Sequence, residues 1–206
     1  DTRLLVTRVG EPTSSTLLAV ESGGARSSFH RPGAGRWAPL GEAVVSAACA
    51  SRFVHYAAVG GPTTDGGPGA ELLAQARAAG AIVTCDLISP RRSAIEEIGR
   101  ILPHVDYFMP SAAEAVFLTG LEDLGAAAAR FVALGARACV IKNGRAGVVA
   151  LIDGQLHTVP AFAVEPVDTT SCGDSFCAGF VAALDRGWAP LDACRFAGMV
   201  AGLVAE

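Results

Sequence analysis

A run of small polar residues leads directly into an apolar helical pattern between Val167 and Phe180, VDTTSCGDSFCAGF. Unpaired amides at a helix N-terminus and the helix dipole together attract an anion such as phosphate. The amides of Ser171, Cys172 and Gly173 are placed to form such an anion site. Asp174, in the same first turn, could accept the proton of an alcohol, so the stretch is typical of phosphoryl transfer to a hydroxyl.

The same residues also have a purely structural interpretation, because helices favour Ser or Asp at the N-cap and in the first turn. A cap needs one such residue, however, and here Asp168, Thr169 and Thr170 add to the polar run. This excess favours the anion-binding interpretation.

Hydrophobic periodicity and the positions of Gly and Pro predict the elements that hold this stretch. Strands are expected at 3–9, 15–21, 25–30, 81–86, 105–109, 137–142, 147–152 and 155–159, with a Gly23-Gly24 turn and a loop at 31–37. Helices are expected at 70–79, 93–102, 112–119, 124–134, 173–186 and from Pro190 onward. Alternating helices and strands predict an α/β fold with a mainly parallel central sheet, helices on both faces and antiparallel strands at one edge.

Composition limits the class of protein. A chain of 206 residues with 51% hydrophobic and 17% charged residues predicts one globular domain, 1–206. The net charge of -4 argues against nucleic-acid and anionic-membrane partners. The six cysteines form no CxxC pair and are interpreted as reduced thiols, and no segment is long enough to span a bilayer, so a cytoplasmic protein is expected.

The stretch at 167–180 resembles the C-terminal signature of the ribokinase-like (PfkB) family of carbohydrate and nucleoside kinases, DTTGAGDxFxAGF. Ser171 and Cys172 replace the usual Gly and Ala. The resemblance implies that Asp174 is the catalytic base and that the amides of Cys172 and Gly173 stabilise the transferred phosphoryl group. It also requires Ser171 to adopt a backbone conformation that suits glycine.

Two upstream segments resemble the same family. Lys142 to Gly147 resembles its (T/K)xGxxG turn, which implies that Lys142, Gly144 and Gly147 lie against the nucleotide. Ser111 and Glu114, followed by Leu118-Thr119-Gly120, resemble NxxExxxLTG, which implies that they contact the nucleotide and that Glu114 organises Mg²⁺ through water. Taken alone, these segments are an Asn-Gly turn and a capping box.

Further implications of the resemblance concern Asp86 and a monovalent cation. Asp86 stands where the family has DxNxR. Ile88 replaces the Asn of this motif, and the arginine is displaced to Arg91 or Arg92. An equal alternative is that Asp86 is a strand-end carboxylate that caps the next loop. Members of the family often respond to K⁺, which implies a K⁺ site around Asp168 and Thr170.

The resemblance implies ATP and Mg²⁺ as cofactors and a small sugar as acceptor, as in ribokinase, fructokinase or ketodeoxygluconate kinase, or else a nucleoside as in adenosine-type kinases. The family's N-terminal substrate and lid portion and its final helix do not appear, so either the protein is longer than these residues or it is a non-catalytic nucleotide-binding relative. Because the family's lid often forms a dimer interface, a homodimer is also an expectation.

Other catalytic motifs fit less well. A GDS-type esterase with Ser175 as nucleophile requires a later histidine as general base, and the last one, His157, precedes it. The GxGxxA match at 33–38 is flanked by prolines, and the only lysine lacks the preceding Gly of a Walker loop. His30, His55, His104 and His157 are scattered and are interpreted as surface or strand-end residues.

Overall fold

The computed structural model describes residues 4, 5, 7, 9–20, 26–34, 40–59, 69–88, 90, 92 and 94–206. The elements, in chain order, are β1 (Ser15–Val20), β2 (Arg26–Arg31), α1 (Glu42–Cys49), β3 (Phe53–Val59), α2 (Gly69–Ala78), β4 (Ile82–Leu87), α3 (Ala94–Ile101), β5 (Tyr107–Phe108), α4 (Ala112–Thr119), α5 (Leu124–Ala133), β6 (Ala138–Lys142), β7 (Val148–Ile152), β8 (Gln155–Val159), α6 (Cys172–Asp185) and α7 (Pro190–Ala205).

The central sheet has six strands in the order β3-β4-β5-β6-β7-β8. Strands β3 to β6 are mutually parallel, whereas β7 and β8 continue the sheet in antiparallel fashion. Strands β1 and β2 form a separate antiparallel hairpin. The predicted α/β fold class is therefore confirmed, and the carboxyl ends of β3 to β6 meet along one edge of the sheet.

Each face of the sheet carries its own apolar core. Helices α1 to α5 cover one face, and α6 and α7 cover the other. Because successive residues of a strand point to opposite faces, Phe108 packs on Phe131 of α5, with ring centroids 4.9 Å apart. Its neighbour Tyr107 packs on Phe180 of α6 at 5.0 Å. The second contact anchors α6 to the sheet and so helps to fix the position of its N-terminus.

Several helices and strands begin or end within one residue of the predicted positions, because capping and turn residues determine these boundaries. Helix α4 begins after a capping box at Ser111 and ends at Gly120, whose φ is +71°. Asp153 and Gly154, both with positive φ, join β7 to β8. These boundaries depend on hydrogen bonds between residues only a few positions apart.

The structure corrects the expectations for the first sixty residues. The expected strand at 3–9 does not form at its described positions, where Leu5 and Val9 are 76% and 99% exposed and pair with no strand in the described part of the chain. Helix α1 and strand β3 were not predicted, because their Ala- and Val-rich sequences fit either state. The Gly23-Gly24 turn lies outside the described residues.

Candidate active site

The N-terminus of α6 lies at the carboxyl edge of the sheet, where open α/β sheets bind ligands. Strand β6 ends there at Lys142, which bridges to Ser111 after β5. A Cβ placed on Gly173 would lie 3.5 Å from the Nζ of Lys142. The structure therefore brings together the predicted residues of three separate sequence segments.

The backbone before α6 is left-handed at Ser171, a conformation that suits glycine. Ser171, at the N-cap, has φ +62° and ψ 6°, in the left-handed region, and its hydroxyl does not cap the helix. The amide of Cys172 donates a long hydrogen bond of 3.4 Å to the carbonyl of Thr169. Among the described residues, the amides of Gly173 and Asp174 have no acceptor. This arrangement presents donors to an anion.

Replacing Ser171 by Gly is expected to preserve or slightly raise the melting temperature, because Gly adopts φ +62° without steric cost. Replacing it by Val is expected to cost about 1–2 kcal/mol, because a β-branched side chain is strained there. Thermal unfolding of both variants measures the difference. Equal melting temperatures would contradict the left-handed conformation.

The carboxylate of Asp174 faces open space. Asp174 is exposed and lines a cleft of about 600 Å³ between α6 and β3, called the β3–α6 cleft below, together with His55, Ala57 and Ala178. Within the described part of the chain its carboxylate makes no hydrogen bond or ion pair. It is thus available to a ligand that enters the cleft.

His55 was interpreted from the sequence as a surface or strand-end residue, and the structure places it in the β3–α6 cleft. Its Nδ1 lies 2.9 Å from the Oγ1 of Thr84 on β4. Desolvation lowers the pKa of His55, although the nearby carboxylates of Asp86 and Asp174 act in the opposite direction. The sequence around His55 could not predict this location, because the contact with Thr84 depends on the pairing of β3 with β4.

Asp86 has a more central position than its sequence context indicated. Its Oδ2 lies 2.5 Å from the Nζ of Lys142, and the two side chains are 7% and 13% exposed. The thiol of Cys177 on α6 donates to the same Oδ2 at 3.3 Å, and the amide of Leu87 donates to Oδ1 at 2.8 Å. The carboxylate of Asp86 is therefore held by three elements and does not merely cap the following loop.

The charge of Lys142 is maintained despite its burial. Desolvation alone would lower the pKa of Lys142, but nearby Cys177, Asp86 and Glu114 together raise it above its ordinary value. Desolvation raises the pKa of the Cys177 thiol to about 12. At neutral pH Lys142 is therefore protonated and Cys177 is a neutral thiol.

The segment after β6 forms a tight turn. The amide of Asn143 donates to the carbonyl of Gly147 at 2.8 Å. Gly147 has φ +87° and ψ -128°, and a Cβ there would meet the carbonyl oxygen of Val159. Gly144, with φ +53°, has open space where a Cβ would lie. The backbone of this turn is accessible at Gly144 and closely packed at Gly147.

Ser111 and Glu114 form a complete capping box on α4. The Oε2 of Glu114 accepts from the amide of Ser111 at 2.8 Å and from its hydroxyl at 2.7 Å. No cluster of three metal-ligating side chains occurs in the described part of the chain.

The polar run before α6 is internally bonded. The Oδ1 of Asp168 accepts from the amide of Thr170 at 2.8 Å and from its hydroxyl at 2.7 Å. The amide of Asp168 donates to the carbonyl of Ala205 at 3.2 Å, which ties the run to the end of α7.

None of the described helices is both long and apolar enough to cross a membrane.

Comparisons with known proteins identify the family of the chain. The family model described as pfkB family carbohydrate kinase matches residues 1–206. A cytidine kinase from Thermococcus kodakarensis is 37% identical over 107 residues, which are 50% of this chain and 37% of the relative. A fructokinase from Klebsiella pneumoniae is 37% identical over 91 residues, which are 42% of this chain and 29% of the relative.

The fold is similarly shared with solved structures. The structure of Arabidopsis thaliana ribokinase complexed with ribose and ATP superposes with a TM-score of 0.80 at 23% identity, over 95% of this chain and 64% of that one. The chain thus spans less than two thirds of each of these proteins. From the match along its whole length, the chain belongs to the pfkB family of carbohydrate kinases.

Proposed function

We propose that the protein is an ATP-dependent kinase that transfers the γ-phosphoryl group to a hydroxyl of a small sugar. The observation that carries this proposal is that the left-handed Ser171 and the first-turn amides of Gly173 and Asp174, which have no acceptor among the described residues, lie beside the exposed carboxylate of Asp174. The family relationship to a fructokinase and a ribokinase supports a sugar acceptor.

In this mechanism Asp174 is the catalytic base and accepts the proton of the acceptor hydroxyl as the oxygen attacks phosphorus. The amides of Cys172 and Gly173 donate to the oxygens of the transferred group and stabilise its charge in the transition state. Ser171 shapes the backbone that aims these amides. Little covalent chemistry is required of the protein, so positioning supplies most of the rate enhancement.

The nucleotide is expected to lie along the turn at Lys142, Gly144 and Gly147. Ser111 forms a backbone bridge with Lys142 and is hydrogen-bonded to Glu114, so both lie near this turn. We assign Mg²⁺, which neutralises phosphate charge when bound, to Glu114 through water. We propose that K⁺ binds near Asp168 and Thr170, which are hydrogen-bonded to each other.

A nucleoside acceptor is the second candidate, supported by the similarity to a cytidine kinase. A non-catalytic nucleotide-binding role is the third candidate, because Ser171 and Cys172 replace the Gly and Ala of the family signature. A single ribokinase-like α/β domain over residues 1–206, a cytoplasmic location and a homodimer complete the proposal.

A screen of phosphoryl transfer tests the function directly. The intact gene product is incubated with ATP, Mg²⁺ and a panel of pentoses, hexoses, ketodeoxygluconate and nucleosides, and acceptor-dependent ADP formation is measured with and without K⁺. Turnover with a sugar supports the proposal, and turnover with nucleosides alone favours the second candidate. No turnover with any acceptor, despite ATP binding, would favour the non-catalytic role.

Cys172 offers a chemical probe of the same site. Alkylation at pH 8 is expected to modify the half-buried Cys172 and Cys49, while the four buried thiols resist modification. Burial raises the pKa of Cys177 and Cys194 to about 12, so they contain little thiolate at that pH. ATP is expected to protect Cys172 by occupying the N-terminus of α6, and Cys49 on α1 serves as the unprotected internal control. Peptide mapping by mass spectrometry measures both, and equal protection of the two thiols would contradict the site.

A further inference from the structure

The ammonium of Lys142, whose side chain is 13% exposed, lies against the N-terminus of α6, although the helix dipole disfavours a cation there. The Nζ of Lys142 is close enough to Gly173 that a Cβ on this glycine would lie 3.5 Å away. Nothing in the local sequence of β6 requires this direction of the side chain. It is set by Asp86, whose Oδ2 lies 2.5 Å from the Nζ, and by Cys177, whose Sγ lies 3.6 Å from it.

The arrangement brings like charges together. The partial positive charge of the helix N-terminus and the full charge of Lys142 repel each other unless negative charge is near both. Asp86 supplies one negative charge, but its second oxygen is bonded to the amide of Leu87. A phosphoryl group at the helix N-terminus would meet the amides and the ammonium together, and charge-assisted hydrogen bonds to such groups are the stronger ones.

We propose that Asp86, assisted by Cys177, is a positioning residue that holds the Lys142 ammonium at the N-terminus of α6, where it binds the transferred phosphoryl group. The proposal rests on the proposed kinase function, in which this N-terminus is the phosphoryl site. Asp86 therefore acts on the phosphoryl group only indirectly, by holding Lys142 in place. Lys142 then acts on the terminal phosphate and not only on the nucleotide turn.

Three variants separate positioning from mere structural support: Lys142→Met, Asp86→Asn and the double variant. Each single replacement leaves one buried charge without its partner and is expected to lower the melting temperature. The double variant removes both charges and is expected to recover most of that loss. The melting temperatures therefore measure the structural contribution of the pair by itself.

ATP and ADP affinities, measured by calorimetry with Mg²⁺ and without an acceptor, report on the phosphoryl site. Lys142→Met and the double variant are both expected to lose about tenfold or more in ATP affinity and clearly less in ADP affinity. Asp86→Asn is also expected to lose ATP affinity, because the ammonium is no longer held at the phosphoryl site, and unchanged ATP affinity of this variant would exclude a positioning role for Asp86. Arg195→Met is the matched control, because it removes an exposed positive charge from an ion pair with Asp192 on α7. Its ATP affinity is expected to change by less than about twofold.

Recovery of both melting temperature and ATP affinity in the double variant would overturn the proposal and make the pair purely structural. Equal losses for ATP and ADP would also overturn it, because the ammonium would then not face the terminal phosphate. Absence of ATP binding by the unmodified protein would refute the site altogether. Tight ATP binding without phosphoryl transfer to any acceptor would refute the kinase function alone.

Discussion

Replacement of Asp174 by Asn is expected to lower kcat for phosphoryl transfer by about 10²–10⁴-fold, the usual contribution of a general base. The carboxylate is exposed in the β3–α6 cleft, so a bound hydroxyl can reach it. The amide of Asn keeps nearly the same shape but cannot accept the proton at a useful rate. Acceptor-dependent ADP formation, with the best acceptor of the panel, measures the loss, and KM for ATP should change little.

Asp185→Asn is the matched control for this experiment. Asp185 lies on the same helix and lines the same cleft, but its carboxylate pairs with the exposed Arg52 at 2.7 Å. Its replacement is expected to change kcat by less than about twofold, because exposed ion pairs contribute little. Undiminished activity of the Asp174→Asn variant, with a melting temperature within about 4 °C of the parent, would exclude Asp174 as the base.

Replacement of Gly147 by Ala is expected to destabilise the protein by about 3 kcal/mol or more. The added Cβ would lie 2.0 Å from the carbonyl oxygen of Val159 and close to the backbone of Pro160 and Ala161, which cannot move as a flexible side chain can. The conformation at φ +87° and ψ -128° adds strain for any residue with a side chain. At about 2–4 °C per kcal/mol for a chain of this length, the melting temperature should fall by about 10 °C.

Gly144→Ala provides the comparison within the same turn. Gly144 also has positive φ, +53°, but nothing lies within 4 Å of the position of its Cβ. The expected cost is about 1 kcal/mol, the usual cost of the left-handed region alone. Similar melting temperatures for the two variants would show that the contact with β8 does not constrain the turn.

The sequence alone was sufficient for the features that depend on near neighbours. The capping box of α4, the turn between β7 and β8 and the run from Asp168 to Asp174 all depend on residues within a few positions of one another. Alternating helices and strands were enough to predict the α/β class. Strand β3 was missed because its apolar residues fit a helix equally well, and only pairing with β4 decides between the two.

Tertiary structure alone decided which side chains meet at the candidate site. Asp86 and Lys142 are 56 positions apart, and their ion pair exists because β4, β5 and β6 lie side by side with their carboxyl ends together. His55 reaches the cleft of Asp174 only through the position of β3 beside β4. Strand order follows from the packing of helices on both faces, a long-range property that no short stretch of residues encodes.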